Sequence, residues 1–162
     1  MTEQRIVGVD PGLGTTGYGV IAVRGATIEL VEGGTIRPAN RRAPIEQRLA
    51  TIFGDISALL REMQPVVVAI EDVYTRYERP RTAILMGHAR GVIALAAGLA
   101  NIPVEAYTAS QVKRALTGEG RASKGQVQRA VAEVLGLPRV PEPPDVADAL
   151  ALALTCANAR RG

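Results

Sequence analysis

The sequence predicts an α/β fold on a mixed five-stranded sheet, three antiparallel strands followed by two parallel ones, with helices on its flanks. Three observations carry this expectation. Short β-rich runs open the chain with glycines at the first turn, one long stretch then repeats apolar residues at helical spacing, and an unbroken β-branched run follows it. A continuous apolar run of that length marks a central strand covered on both faces.

Arg5 to Asp10, Gly17 to Val23 and Thr27 to Ile36 are the first three strands, expected to pair as an antiparallel meander, with Gly12, Gly14 and Gly17 punctuating the first turn. From Pro44 to Met63 the residues Ile45, Leu49, Ile52, Phe53, Ile56, Leu59, Leu60 and Met63 recur at helical spacing, behind a proline suited to a first turn. Pro65 stops that helix. Val66 to Ile70 then form a strand, with Glu71 at its carboxyl end. Residues 82 to 101 predict a helix apolar almost all round and interrupted by Gly87 and Gly91. Small residues four apart let another helix approach closely, in the core or at a subunit interface. Pro103 to Tyr107 is a short strand, helices are expected at 108 to 117 and 123 to 136, and a Pro-rich link at 138 to 144 precedes a last helix from Asp145 to about Arg160.

At 162 residues and 47% apolar content, residues 1 to 162 are expected to form one domain with a substantial core. The only Cys, Cys156, lies in an alanine-rich apolar helix, where a small buried side chain is the simplest expectation. With no disulfide framework and no uninterrupted apolar run of the ~18 residues a membrane span needs, a cytoplasmic protein is expected, with no membrane partner. Net charge is only +3, yet the basic residues cluster at 37 to 48, 76 to 81 and 113 to 129, which favours a polyanionic partner. Among 19 basic residues only Lys113 and Lys124 are lysine, and both fall in that last cluster.

Four acids carry the candidate chemistry. Asp10 and Glu71 end β-type runs, and Asp145 and Asp148 stand three apart at a helix start, which puts them on one helix face. In open α/β sheets, ligands bind beyond the carboxyl ends of parallel strands, so the first and fourth strands as parallel neighbours would bring Asp10 and Glu71 together. Converging carboxylates repel one another unless a hard divalent cation lies between them. The set predicts metal-dependent phosphate chemistry with Mg²⁺ or Mn²⁺, and two ions ~3.5 to 4 Å apart need about this many carboxylates. Each acid also has a structural alternative. Asp145 suits an N-cap and Asp148 a first-turn acid favoured by the helix dipole, Asp10 before Pro11-Gly12 suits a turn, and Glu71 at the end of a buried strand needs a cation or donors. The single His88 sits in an apolar helix without triad partners, and there is no CxxC, HExxH or P-loop lysine.

Five separated motifs stand in order along the chain: Gly8-Val9-Asp10-Pro11-Gly12 with Thr16-Gly17-Tyr18-Gly19, Ala69-Ile70-Glu71-Asp72-Val73-Tyr74, Gly87-His88-Ala89-Arg90-Gly91, Gln111-Val112-Lys113, and Asp145-Val146-Ala147-Asp148-Ala149-Leu150. Together they resemble the RuvC family of bacterial Holliday junction resolvases. The resemblance runs in order through nearly the whole chain. It implies an RNase H-like fold and a homodimeric endonuclease that makes paired symmetric nicks in opposed strands of four-way junction DNA, working with the branch-migration proteins RuvA and RuvB. It assigns the metal-binding acids to Asp10, Glu71, Asp145 and Asp148, in agreement with the residue-level choice. Lys113 and Lys124 match basic residues near the scissile phosphate, Lys124 with a catalytic role as a point charge. Arg114, Arg121 and Arg129 would bind the DNA backbone beside them.

The stretch Tyr74-Thr75-Arg76-Tyr77-Glu78-Arg79-Pro80-Arg81 follows Glu71 directly. Two of the chain's four tyrosines fall here among three arginines, a combination suited to base stacking beside phosphate contacts. Tyr74 resembles the family's aromatic at the junction centre, and Tyr77, Arg76, Arg79 and Arg81 are DNA-binding candidates. The loop is one residue longer than in the best-known members and denser in arginine. Three rivals stand beside this expectation: an actin-like ATPase, for which 162 residues cannot supply two lobes; another RNase H-like nuclease acting on RNA or an RNA:DNA hybrid, YqgF relatives included; and a non-enzymatic junction-binding module.

Overall fold

The computed structural model describes residues 2–72 and 79–162. Its chain order is β1 (Gln4–Asp10), β2 (Thr16–Arg24), β3 (Thr27–Ile36), α1 (Ile45–Met63), β4 (Val67–Glu71), α2 (Pro80–Leu99), β5 (Val104–Tyr107), α3 (Ala109–Thr117), α4 (Lys124–Val134) and α5 (Pro144–Arg161). The strands form one sheet in the order β3-β2-β1-β4-β5. The first three pair antiparallel, and β1, β4 and β5 run parallel. This is the mixed sheet expected from the sequence, with β1 and β4 as parallel neighbours.

Strand alternation splits the interior into two layers. Val7 and Val9 of β1, with Val68 and Ile70 of β4, face α1 and α2. Ile6 and, on β4, Val67 and Ala69 face α5, behind which α3 and α4 pack. Asp10 and Glu71 continue the second series, so the two-residue period turns both carboxylates toward α5.

The α5 helix is buried from Val146 through Ala157 except at the half-buried Asp148, and its backbone lies almost directly on the sheet. Glycines make this possible. A Cβ on Gly8 would collide with the Ala149 carbonyl oxygen and stand 2.9 Å from the Ala153 nitrogen, and one on Gly17 would stand 2.6 Å from the Asp145 carbonyl carbon. Small residues on both surfaces remove the side-chain layer that normally separates a helix from a sheet.

The structure decides two alternatives the sequence left open and qualifies one expectation. Pro143, rather than Asp145, occupies the N-cap of α5, and the helix has no side-chain cap hydrogen bond, so Asp145 lies inside the first turn. In α2 the Gly87 and Gly91 faces are open, while Ala89, Ile93, Ala96 and Ala97 are buried, so among the described residues the glycine pair brings no neighbour close. Counted as a helix rather than as an uninterrupted apolar run, α2 is also long and apolar enough to cross a membrane, with a mean hydropathy of 1.4. It packs against α1 and β5.

Candidate metal centre

Two adjacent parallel strands end at Asp10 and Glu71, and the first turns of α5 descend on that spot. Carboxylate oxygens of Asp10, Asp145 and Asp148 all lie within 4.8 Å of one another. Glu71 stands outside that triplet but faces the same cavity of about 300 Å³, lined by Asp10, Glu71, Lys113, Lys124 and Asp148 over an apolar floor that includes Val112, Val127 and Leu152.

Crowding and burial set the protonation of this cluster. Burial pushes the Asp10 carboxyl up to about 7, reinforced by the charges of Asp148, Glu71 and Asp145 and opposed by Lys124. Glu71 and Asp148 are raised mainly by burial as well. Lys124 Nζ stands 3.2 Å from Asp148 Oδ2, and this pairing raises the lysine above its ordinary value. One ammonium cannot neutralise four converging acids. The donor set is hard oxygen held in a partly desolvated cleft, and it fits Mg²⁺ or Mn²⁺, whose charge would offset the burial and the repulsion that together keep Asp10 partly protonated.

Local structure holds each side chain in place. Thr16, fully buried, donates its hydroxyl to the Gly12 carbonyl at 2.7 Å and accepts the Gly12 N–H at 3.3 Å, which closes the turn after Asp10. Arg90 Nε of α2 donates to the Glu71 carbonyl at 3.3 Å, and its guanidinium stands 3.8 Å from Asp72, so the end of β4 is tied to α2. Capping boxes open α3 and α4. Thr108 and Gln111 exchange side-chain-to-backbone hydrogen bonds in one, Ser123 and Gln126 in the other. A lysine at the first position of α4 opposes the helix dipole, and the Asp148 carboxylate offsets that cost.

Thr16 and Arg90 are supports that sequence reasoning missed, and it missed both capping boxes too. The boxes had a readable signal in Thr108-x-x-Gln111 and Ser123-x-x-Gln126. Of the DNA-binding candidates, Lys113 lines the cavity, Arg114 and Arg121 are exposed on the α3–α4 segment, and Arg79 and Arg81 are exposed where α2 begins. Tyr74, Arg76 and Tyr77 lie outside the described residues.

A carboxylate cluster at the carboxyl ends of adjacent parallel strands, with a lysine at its rim, on a βββαβ sheet, defines a metal-dependent nuclease of RNase H-like fold. Residues 6–156 match the family described as "Crossover junction endodeoxyribonuclease RuvC". The chain belongs to that family. It is 49% identical over 149 residues to the crossover junction endodeoxyribonuclease RuvC of Rhodopirellula baltica, covering 92% of this chain and 83% of the relative. The RuvC of Pelotomaculum thermopropionicum is 44% identical, over 94% of this chain and 92% of its own length. Among solved structures, Thermus thermophilus RuvC in complex with a Holliday junction substrate superposes with a TM-score of 0.92 at 37% identity, over 98% of this chain and 95% of that one.

Proposed function

We propose that this chain resolves Holliday junctions in the cytoplasm as a homodimer, cutting opposed strands with paired symmetric nicks during DNA recombination and repair, alongside RuvA and RuvB. The observation that carries this is the acid cluster with its lysine, on a chain that aligns over nearly its full length with a RuvC bound to a junction. An isologous dimer presents two equivalent sites to two equivalent strands. The exposed apolar residues Ile84, Leu95 and Leu99, with the open Gly87 and Gly91, make α2 the surface suited to the second copy.

In the reaction a water oxygen joins phosphorus and the bond to O3′ breaks, leaving a 5′-phosphate and a 3′-OH. Asp10, Glu71, Asp145 and Asp148 would hold Mg²⁺ or Mn²⁺, two ions per site, which supply water activation and charge neutralisation at the leaving oxygen. The chain's own groups do the positioning. Lys124, aimed into the cleft by the α4 capping box, places a fixed positive charge beside the phosphate, where negative charge grows in the transition state. Lys113 contributes a second point charge across the cavity. Arg79, Arg81, Arg114 and Arg121 contact backbone phosphates, Arg76 does so from the loop after Glu71, and Tyr74 and Tyr77 stack on bases at the junction centre.

The test incubates the protein with a labelled mobile four-way junction, a nicked duplex and an RNA:DNA hybrid, each with Mg²⁺, Mn²⁺ or EDTA. Paired nicks confined to the junction, and lost in EDTA, are expected. Preferential cutting of the hybrid, or cutting in EDTA, overturns the proposal.

A further inference from the structure

Of the basic residues at 113–129, Lys113 and Lys124 line the acid cavity, on its α3–α4 side. A separate group, Arg37, Arg41 and Arg42, has no part in the cavity, and strand register shows where it stands. Asp10 pairs with Gly17 of β2, and Gly17 with Thr35 of β3, so the end of β3 lies in one row with the acid cluster. Two strand spacings separate them, about 10 Å. Ile36, the last residue of β3, is buried on the α1 face with Val9 and Val20, Thr35 before it lies on the face of Asp10, and Arg37 leaves the strand at this same end of the sheet.

The loop beyond is ordered. Pro38 is buried, the Asn40 side chain accepts the Arg42 N–H at 2.9 Å, and the Asn40 carbonyl accepts the Ala43 N–H at 3.1 Å. All three arginines are exposed, and among the described residues no ion pair engages them, Glu46 in the first turn of α1 included. Three unneutralised guanidiniums on a pinned turn repel one another, and a polyanion laid across them removes that repulsion.

We propose that Arg37, Arg41 and Arg42 form a second phosphate-binding surface, which grips the DNA backbone on the β3 side of the acid cavity, opposite Lys113, Arg114 and Arg121. This rests on the nuclease function proposed above. The substrate strand then crosses the acids between two cationic banks. Held on both sides, the scissile phosphate is kept over the carboxylates that would otherwise repel it.

Binding of a fluorescent four-way junction, measured in EDTA over a series of salt concentrations, tests this. Each phosphate contact contributes about 0.9 to the slope of log affinity against log salt. Replacing Arg37, Arg41 and Arg42 together by alanine is expected to lower the slope by about 2 to 3, and replacing all three by lysine to restore most of it. Arg61→Ala, an exposed arginine in the last turn of α1 at the far end of the sheet, is expected to leave the slope unchanged. A wild-type slope in the triple alanine protein overturns the proposal. So does an equal loss from Arg61→Ala, which would mark a net-charge effect. Failure of the wild-type protein to cut a junction with Mg²⁺ counts instead against the nuclease function, because the slopes are measured without metal.

Discussion

Gly17→Ala should damage the metal centre without adding or removing a charge. The added methyl would stand 2.6 Å from the Asp145 carbonyl carbon and 2.8 Å from Asp145 Cβ, with the carbonyl oxygen closer still. Ordinary carbon contacts begin near 3.5 Å, so the first turn of α5 and β2 must separate by about 0.7 to 0.9 Å. Overpacking of this kind costs roughly 1 to 3 kcal/mol of stability. A displacement near 1 Å at a catalytic group costs on the order of 100-fold in rate. Because Gly17 pairs with Asp10 in the sheet and supports Asp145 from below, the shift opens the three-carboxylate cluster directly. Mn²⁺ binding by calorimetry, the Mg²⁺ dependence of junction cleavage and thermal unfolding should be measured together. Expected are weaker Mn²⁺ binding and a higher Mg²⁺ requirement, in a protein that still unfolds cooperatively. Gly33→Ala is the comparison, since its methyl meets a side chain of α5, Val146 Cγ1 at 2.7 Å, and the Tyr18 carbonyl oxygen at an ordinary 3.7 Å, rather than the backbone that carries Asp145. Wild-type Mn²⁺ affinity in Gly17→Ala, or equal losses in the two variants, would refute the positioning role.

Further outcomes follow from the same geometry. Asp10→Asn or Glu71→Gln should abolish metal-dependent cleavage and leave junction binding largely intact in gel-shift assays; full cleavage by either removes the metal-site assignment. Lys124→Ala should lower the single-turnover cleavage rate more than it lowers affinity, and equal losses would make it a plain phosphate anchor. With its carboxyl raised to about 7, Asp10 holds a proton in the folded, metal-free protein that the unfolded chain has already released near neutral pH. Metal-free melting temperatures should therefore fall as pH rises from about 4 to 7, the window between the ordinary carboxylate value and the raised one. Saturating Mg²⁺ should flatten that trend, and Mg²⁺ affinity should itself increase over the same interval. A melting temperature independent of pH in EDTA would contradict the raised carboxyl.

Much of the architecture is legible in the residue pattern alone. The periodicity of 45–63, the β-branched run before Glu71 and the glycine-punctuated start each impose one local geometry, and together they order the strands into the observed mixed sheet. The four acids and two lysines can be singled out because acids at strand ends and rare lysines among arginines stand against the local pattern. Asp145 is the ambiguous one. Its cap alternative falls because α5 begins at Pro144, behind an N-cap at Pro143. The arginines of 37–42 are visible as a charge cluster but have no address in the sequence, since the row that brings the end of β3 beside Asp10 depends on the pairing of β1 with β2 and β2 with β3.

Sequence by itself determined the strand and helix types, the acids at the strand ends and the family likeness, because periodicity and residue chemistry act over a few neighbours. Only the tertiary structure decided how closely α5 lies on Gly8 and Gly17, and with it that Asp10, Asp145 and Asp148 come within 4.8 Å of one another while Glu71 faces them across the cavity. That distance depends on side chains that are missing, from residues more than 100 positions apart in the chain. Local sequence signals do not report a helix–sheet separation, whereas close packing fixes it to a fraction of an ångström.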